Sequence, residues 1–176
     1  ANFLSKSPDS LLYCFRGGLR SKTACSWLLT AGFDVPRIEG GYKQLRNHLL
    51  LVFEKLPSLV IVSGRTGTGK TDFLADFTQS IDLEGLANHR GSAFGGRITP
   101  QPAQIDFENA LAVQFLKRRD EKEILLEDES RLIGRTNLPL PLQEKMKQAP
   151  IMIIEEPLDA RTERIFGEYI ETQWDE

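Results

Sequence analysis

The 176-residue chain is short of cysteine and histidine, with two of each. Cys14 precedes Arg-Gly-Gly and Cys25 sits in a helical pattern, so they make no disulfide framework, and a reducing, cytoplasmic setting is expected. His48 and His89 lack the companion ligands of a zinc site, so no metal centre of that kind is indicated. No apolar run is long enough to span a bilayer and no leader opens the chain, so no membrane association is expected. Excess positive charge is missing too. The formal net charge of −3 offers nucleic acid no global attraction, and any RNA contact must rest on local basic patches. There are no internal repeats and no low-complexity tracts. Hydrophobic residues make up 40% of the chain, which excludes disorder, and the length admits one domain or two small ones. Ala1 stands where a start methionine would, so a processed or partial chain is expected.

What is present centres on Gly64 to Thr71, Gly-Arg-Thr-Gly-Thr-Gly-Lys-Thr, which fits the phosphate-binding pattern G-x-x-x-x-G-K-[ST] at every fixed position. The context agrees: Ser58 to Ser63 is a short β-branched run, and Asp72 to Gln79 carries Phe73, Leu74 and Phe77 at helical spacing. Gly64, Gly67 and Gly69 let successive N–H groups turn inward around a polyphosphate, with Thr66 in the same loop. Lys70 would reach the terminal phosphates, and Thr71 would hold Mg²⁺ through its hydroxyl.

The remaining pattern is strand alternating with helix, the mark of a parallel α/β sheet. Strands are expected at Leu11 to Tyr13, Phe33 to Ile38, Ser58 to Ser63, Ile124 to Asp128 and Ile151 to Glu156, with a strand end at Ile81 to Glu84. Helices are expected over Lys22 to Ala31, closed by Gly32, then Tyr42 to Leu56, Phe107 to Arg119 and Arg161 to Trp174. Gly85 to Gly96 reads as a polar loop, and Glu39 to Tyr42 as a turn. Asp128 is the first candidate for an acid that helps order Mg²⁺ near Thr71, with Glu127 second and Glu155 and Glu156 in competition. Arg90, Arg131 and Arg135 lie in polar segments and are candidates to grip phosphate through the planar guanidinium fork.

Cys14 is placed at the end of a strand, followed by Phe15-Arg16-Gly17-Gly18-Leu19-Arg20-Ser21 and then a helix. Loop N–H groups, a helix start, Arg16 and Arg20 all favour the thiolate over the thiol, whose ordinary pKa is about 8.5. Cys14 is therefore a candidate nucleophile, while Cys25 reads as a small apolar helix residue.

Cys14 to Ser21, with the following helix and Glu39-Gly40-Gly41-Tyr42, resembles the active-site loop and closing motif of a rhodanese-like domain. That resemblance implies a cysteine carrying sulfur or selenium as a persulfide or selenosulfide, with Arg16, Gly17, Gly18, Arg20 and Ser21 cradling the anion. Joined to a P-loop half containing Gly85-Leu86-Ala87-Asn88-His89-Arg90-Gly91-Ser92 and Glu127-Asp128-Glu129-Ser130-Arg131-Leu132-Ile133-Gly134, the whole resembles the tRNA 2-selenouridine synthase family over nearly all of its length. The family exchanges the sulfur of wobble 2-thiouridine in tRNA for selenium from selenophosphate, and can geranylate that sulfur with geranyl diphosphate. The resemblance implies those two co-substrates, with Mg²⁺ as an optional cofactor, and as partners a 2-thiouridine-containing tRNA and an enzyme supplying selenophosphate. It also implies the C-terminal part of a rhodanese-like α/β domain at 1–46, a helical connection at 47–57, and a P-loop domain at 58–176 truncated at its C-terminus. A P-loop kinase or NTPase fused to a rhodanese-type sulfurtransferase is the alternative, and a non-catalytic binding module is a third reading.

Overall fold

The computed structural model describes residues 6–7, 9–91 and 95–167. The chain divides into two compact units, Ala1–Leu51 and Val52–Glu176.

The first unit holds α1 (Leu19–Thr30) and the start of α2 (Gly41–Val52). Gly32, at φ +85°, ends α1 as the spacing predicts. Its N–H donates to Leu29 O and that of Phe33 to Leu28 O, which satisfies carbonyls that a helix end leaves open. The two strands expected here are not strands. Leu11 to Tyr13 and Phe33 to Ile38 meet only in one parallel bridge, Leu12 with Arg37, made by Leu12 N–H to Pro36 O and Ile38 N–H to Leu12 O. A ladder needs further neighbours and a buried face. Leu11 and Tyr13 are exposed instead, and Pro36 has no N–H to donate.

In the second unit β1 (Ser58–Ser63), β2 (Ser80–Ile81), β3 (Glu123–Glu127) and β6 (Ile151–Ile153) form a parallel sheet of order β2-β3-β1-β6. Between these strands run α3 (Lys70–Ala75), α4 (Leu83–Ala87), α5 (Gln104–Lys117), an antiparallel hairpin β4 (Leu132–Ile133) to β5 (Thr136–Asn137), and α6 (Leu140–Met146), with α7 (Leu158–Phe166) last. The parallel α/β sheet expected from the sequence is thus present in this unit. Ile124, Leu126 and Glu127 of the inner strand β3 are buried, as are Leu59, Ile61 and Val62 of β1. Such continuous apolar runs suit strands covered on both faces. On α5, Phe107, Leu111 and Phe115 recur every fourth residue and are fully buried. Phe115 meets Phe53 edge-to-face at 6.1 Å.

Several boundaries differ from expectation. The helix predicted to reach Leu56 stops at Val52, because Phe53 and Leu56 turn into the core of the second unit. Asp82 ends β2 and caps α4, accepting the Gly85 N–H at 2.6 Å, so Leu83 and Glu84 are helical rather than extended, and the expected loop begins only after Ala87. Glu155 and Glu156 follow the short β6 rather than belonging to it. The hairpin and α6 carry no strong sequence signal. Trp174, in the last predicted helix, and Ser92 lie outside the described residues.

Leu126 is wholly buried in the inner strand. Its replacement by Ala is expected to cost about 2–5 kcal/mol of stability by urea denaturation, whereas Ile151→Ala, on the exposed β6, is expected to change it by less than about 0.5 kcal/mol.

Candidate functional site

At the end of β1 the chain enters the glycine loop, whose shape accounts for its composition. Gly67 and Gly69 adopt φ of +81° and +76°, which side-chain-bearing residues rarely take. A Cβ on Gly67 would stand 2.6 Å from Arg161 O, and one on Gly64 would stand 2.6 Å from Ile154 O. The loop is further pinned by α7. Arg161 Nε donates to Thr66 O at 3.0 Å, and Arg164 Nη1 donates to Gly67 O at 2.7 Å. Arg164 also pairs with Asp72 at 3.6 Å. Lys70 Nζ donates to Gly64 O at 2.8 Å.

Beyond the loop opens a cleft of about 490 Å³, lined by Gly64, Thr66, Gly67, Gly69, Lys70 and Thr71 on one side and by Glu84, Arg90, Arg97, Asp128 and Glu129 on the other. Of the arginines proposed from sequence, Arg90 is in this lining. Arg131 and Arg135 are exposed and outside it, beside the hairpin. Arg97 joins instead, and nothing in its local sequence marks it.

The acids resolve by distance. Thr71 Oγ1 donates to Glu127 Oε1 at 2.8 Å, whereas Asp128 accepts from Ser63 Oγ at 2.6 Å in an exposed position. Glu127, ranked second from the sequence, therefore stands against Thr71, and Asp128 one side over. Glu155 and Glu156 line a separate hollow on the far side of Gly64, with Arg161. Burial and the charge of Glu84 raise the Glu127 carboxyl to a pKa of about 7, despite the Thr71 hydrogen bond. Burial together with Glu84 and Glu127 raises Glu129 to about 8.

In the first unit, Cys14 lies on a depression of about 290 Å³ with Phe15, Arg16, Gly18, Leu19 and Arg20. The residue is half-buried and lines that depression. The two glycine motifs interlock through backbone. Tyr42 N–H donates to Cys14 O, and Lys43 N–H to Phe15 O, both at 3.0 Å. A Cβ on Gly41 would fall 1.9 Å from Cys14 O, and one on Gly17 would fall 2.6 Å from Gly40 N. Phe15 stacks on Tyr42 at 6.0 Å. Arg37, which the sequence does not single out, donates from Nη1 to Gly17 O at 2.6 Å. Cys14 Sγ donates to the buried Ser21 Oγ at 3.3 Å, and that hydroxyl donates to Gly18 O at 3.0 Å. The Ser21 hydroxyl, which can turn to donate to the thiolate, and the Ser21, Arg16 and Gly18 amides lower the thiol to about 6 against the opposing effect of desolvation. Cys25 instead donates from Sγ to Val35 O at 3.6 Å. Cys14 thus combines a lowered thiol pKa with a place in an open depression.

A parallel α/β sheet of order β2-β3-β1-β6, with a glycine loop between β1 and its following helix and an acid at the end of β3 facing that loop's threonine, is consistent with a P-loop-like domain. Residues 57–176 match the family described as "tRNA 2-selenouridine synthase AAA domain", and the chain belongs to that family. It is 53% identical over 173 residues to the tRNA 2-selenouridine synthase of Shewanella frigidimarina (strain NCIMB 400), covering 96% of this chain and 47% of that protein. To the protein of the same name from Pseudomonas syringae pv. syringae (strain B728a) it is 50% identical over 173 residues, at 96% and 47% coverage. The chain thus spans about half the length of the curated relatives it matches. No solved structure matches it.

With Cys25 changed to Ser, the rate of alkylation of Cys14 by iodoacetamide should rise with pH around a midpoint near 6. Ser21→Ala should move that midpoint upward by removing the largest stabilising contact to the thiolate. A midpoint at 8.5 or above in the Ser21-containing protein would contradict this account of the loop.

Proposed function

We propose that this chain is part of an enzyme that puts selenium in place of sulfur in wobble 2-thiouridine of tRNA. In this reading the Cys14 thiolate, stabilised by the loop of Arg16, Gly17, Gly18, Arg20 and Ser21, attacks the activated uridine carbon and is displaced in turn by the selenium of selenophosphate, whose Se–P bond is then hydrolysed to phosphate. Gly64 to Thr71 takes the phosphate or diphosphate of a co-substrate. The supporting observation is the Cys14 thiolate, prepared by Ser21 and lining a depression, on a chain that also carries a complete phosphate loop. The relatives' name adds the substrate class.

The chemistry gives a reason for the combination. Attack at the uridine carbon that bears sulfur expels sulfide poorly. Alkylation of the sulfur by geranyl diphosphate, with release of diphosphate, turns the departing group into a thiolate, which leaves more readily. Selenophosphate is the proposed selenium source, drawn from a partner enzyme that makes it, and both co-substrates present phosphate oxygens of the kind a glycine loop and Lys70 bind. Arg90 and Arg97, in the cleft lining, are proposed phosphate contacts. The rhodanese-like assignment of the first unit, at 1–46, belongs to the same proposal, as do the connection at 47–57, the P-loop domain at 58–176 and a cytoplasmic location.

The test is mass spectrometry of tRNA nucleosides from cells that lack the synthase and express a full-length relative. With the wild-type relative 2-selenouridine should return, and with the change equivalent to Cys14→Ser it should stay absent. Full restoration by the serine variant would refute the role of Cys14. ATP or GTP hydrolysis that requires Lys70, without any change in the tRNA, would favour a kinase or NTPase instead.

A further inference from the structure

Three carboxylates meet beside the glycine loop, one each from α4, the last residue of β3 and the segment after it, and two of them, Glu84 and Glu129, line the cleft. Glu84, Glu127 and Glu129 each offer an oxygen, and those oxygens all lie within 4.8 Å of one another. Oxygens bound to a single hard cation at about 2.1–2.6 Å stand no farther apart than about twice that distance, so small side-chain adjustments would let all three reach one ion.

A cluster of acids alone is commonplace, but Glu127 is not on the surface. It is 1% exposed, and while Oε1 accepts from Thr71, the buried Oε2 has no hydrogen-bond partner. An ionised oxygen out of water and without a donor is costly to leave uncompensated. Glu84 and Glu129 add like charge beside it, so the empty cluster must keep protons to limit the repulsion. One bound cation removes both problems at once. The other two carboxylates are fixed in place by the loop that follows α4. Glu84 Oε1 accepts the Gly91 N–H at 2.6 Å. Gly91 also lets that loop close on Glu129, whose oxygens would stand 2.4 Å from a Cβ there.

We propose that Glu84, Glu127 and Glu129 form a protein-only site for one hard divalent cation, which the chain binds without any phosphate compound. An all-carboxylate donor set selects Mg²⁺, Mn²⁺ or Ca²⁺ over softer metals. This site differs from the usual arrangement in which Mg²⁺ arrives on the phosphates and keeps one or two carboxylates. Glu84, which no motif marks, and Glu129, which the sequence does not single out as a ligand, supply two of its three ligands. The inference is independent of which co-substrate the loop takes and of the role of Cys14.

The test uses the 176-residue chain and Mn²⁺ alone, in buffer free of phosphate and nucleotide, with free Mn²⁺ followed by electron paramagnetic resonance. One ion per chain should bind. Glu84→Gln and Glu129→Gln should each weaken it at least tenfold, and Glu123→Gln, at the exposed outer end of β3, should leave it unchanged. The wild-type chain provides a readout that no variant's folding can obscure, because saturating Mn²⁺ should raise its melting temperature. Absence of binding below millimolar Mn²⁺, an unchanged melting temperature, binding that appears only when pyrophosphate is added, or affinity untouched by both glutamine variants would each overturn the proposal.

Discussion

The second unit depends on the parallel pairing of β1 with β3. Their register runs from Ser58 opposite Glu123 to Val62 opposite Glu127. It ends both strands at the same edge of the sheet, so that the glycine loop leaving β1 and the acids leaving β3 face one another. The Thr71 to Glu127 hydrogen bond joins positions 56 residues apart and exists only because of that register. A slip of one residue would turn Glu127 to the opposite face of the sheet, and Thr71 would lose its acid. The burial of Leu59, Ile61, Ile124 and Leu126 is what holds the register, so apolar packing in the strands fixes polar geometry at their ends.

The first unit reaches a comparable precision by different means. It has no sheet among the described residues. The cysteine loop is held by contact of backbone with backbone, possible because Gly17 and Gly41 carry no side chain where Gly40 N and Cys14 O come close. Tyr42 and Lys43 amides close on the Cys14 and Phe15 carbonyls. The amides on the other side of the loop remain available to the sulfur, and together with Ser21 they account for a thiol that ionises near pH 6. One chain therefore carries two glycine loops, one around the Cys14 thiol and one between β1 and α3.

What could be read from the sequence follows from how local each signal is. Gly64 to Thr71 is legible because its pattern, its strand and its helix are contiguous. The Cys14 loop and Glu39-Gly40-Gly41-Tyr42 are legible as motifs, although the strands around them reduce to one bridge. The order of Glu127 and Asp128 was not legible. β3 is apolar on both faces, so its sequence has no alternation to show which of two adjacent acids points toward Thr71. Glu84 and Arg97 reach the cleft through the path of α4 and the segment after it, which no short-range pattern encodes. Arg131 and Arg135 looked equivalent to Arg90, and the hairpin carries them elsewhere.

The most direct test of the central claim is the calorimetric affinity of the chain for inorganic pyrophosphate with Mg²⁺ present, compared between wild type and Lys70→Ala. If the loop facing Glu127 is a phosphate site, the wild type binds with heat that saturates at one equivalent, and the alanine variant is at least tenfold weaker. Equal affinity in the two proteins, or no binding by a folded wild type, would contradict it.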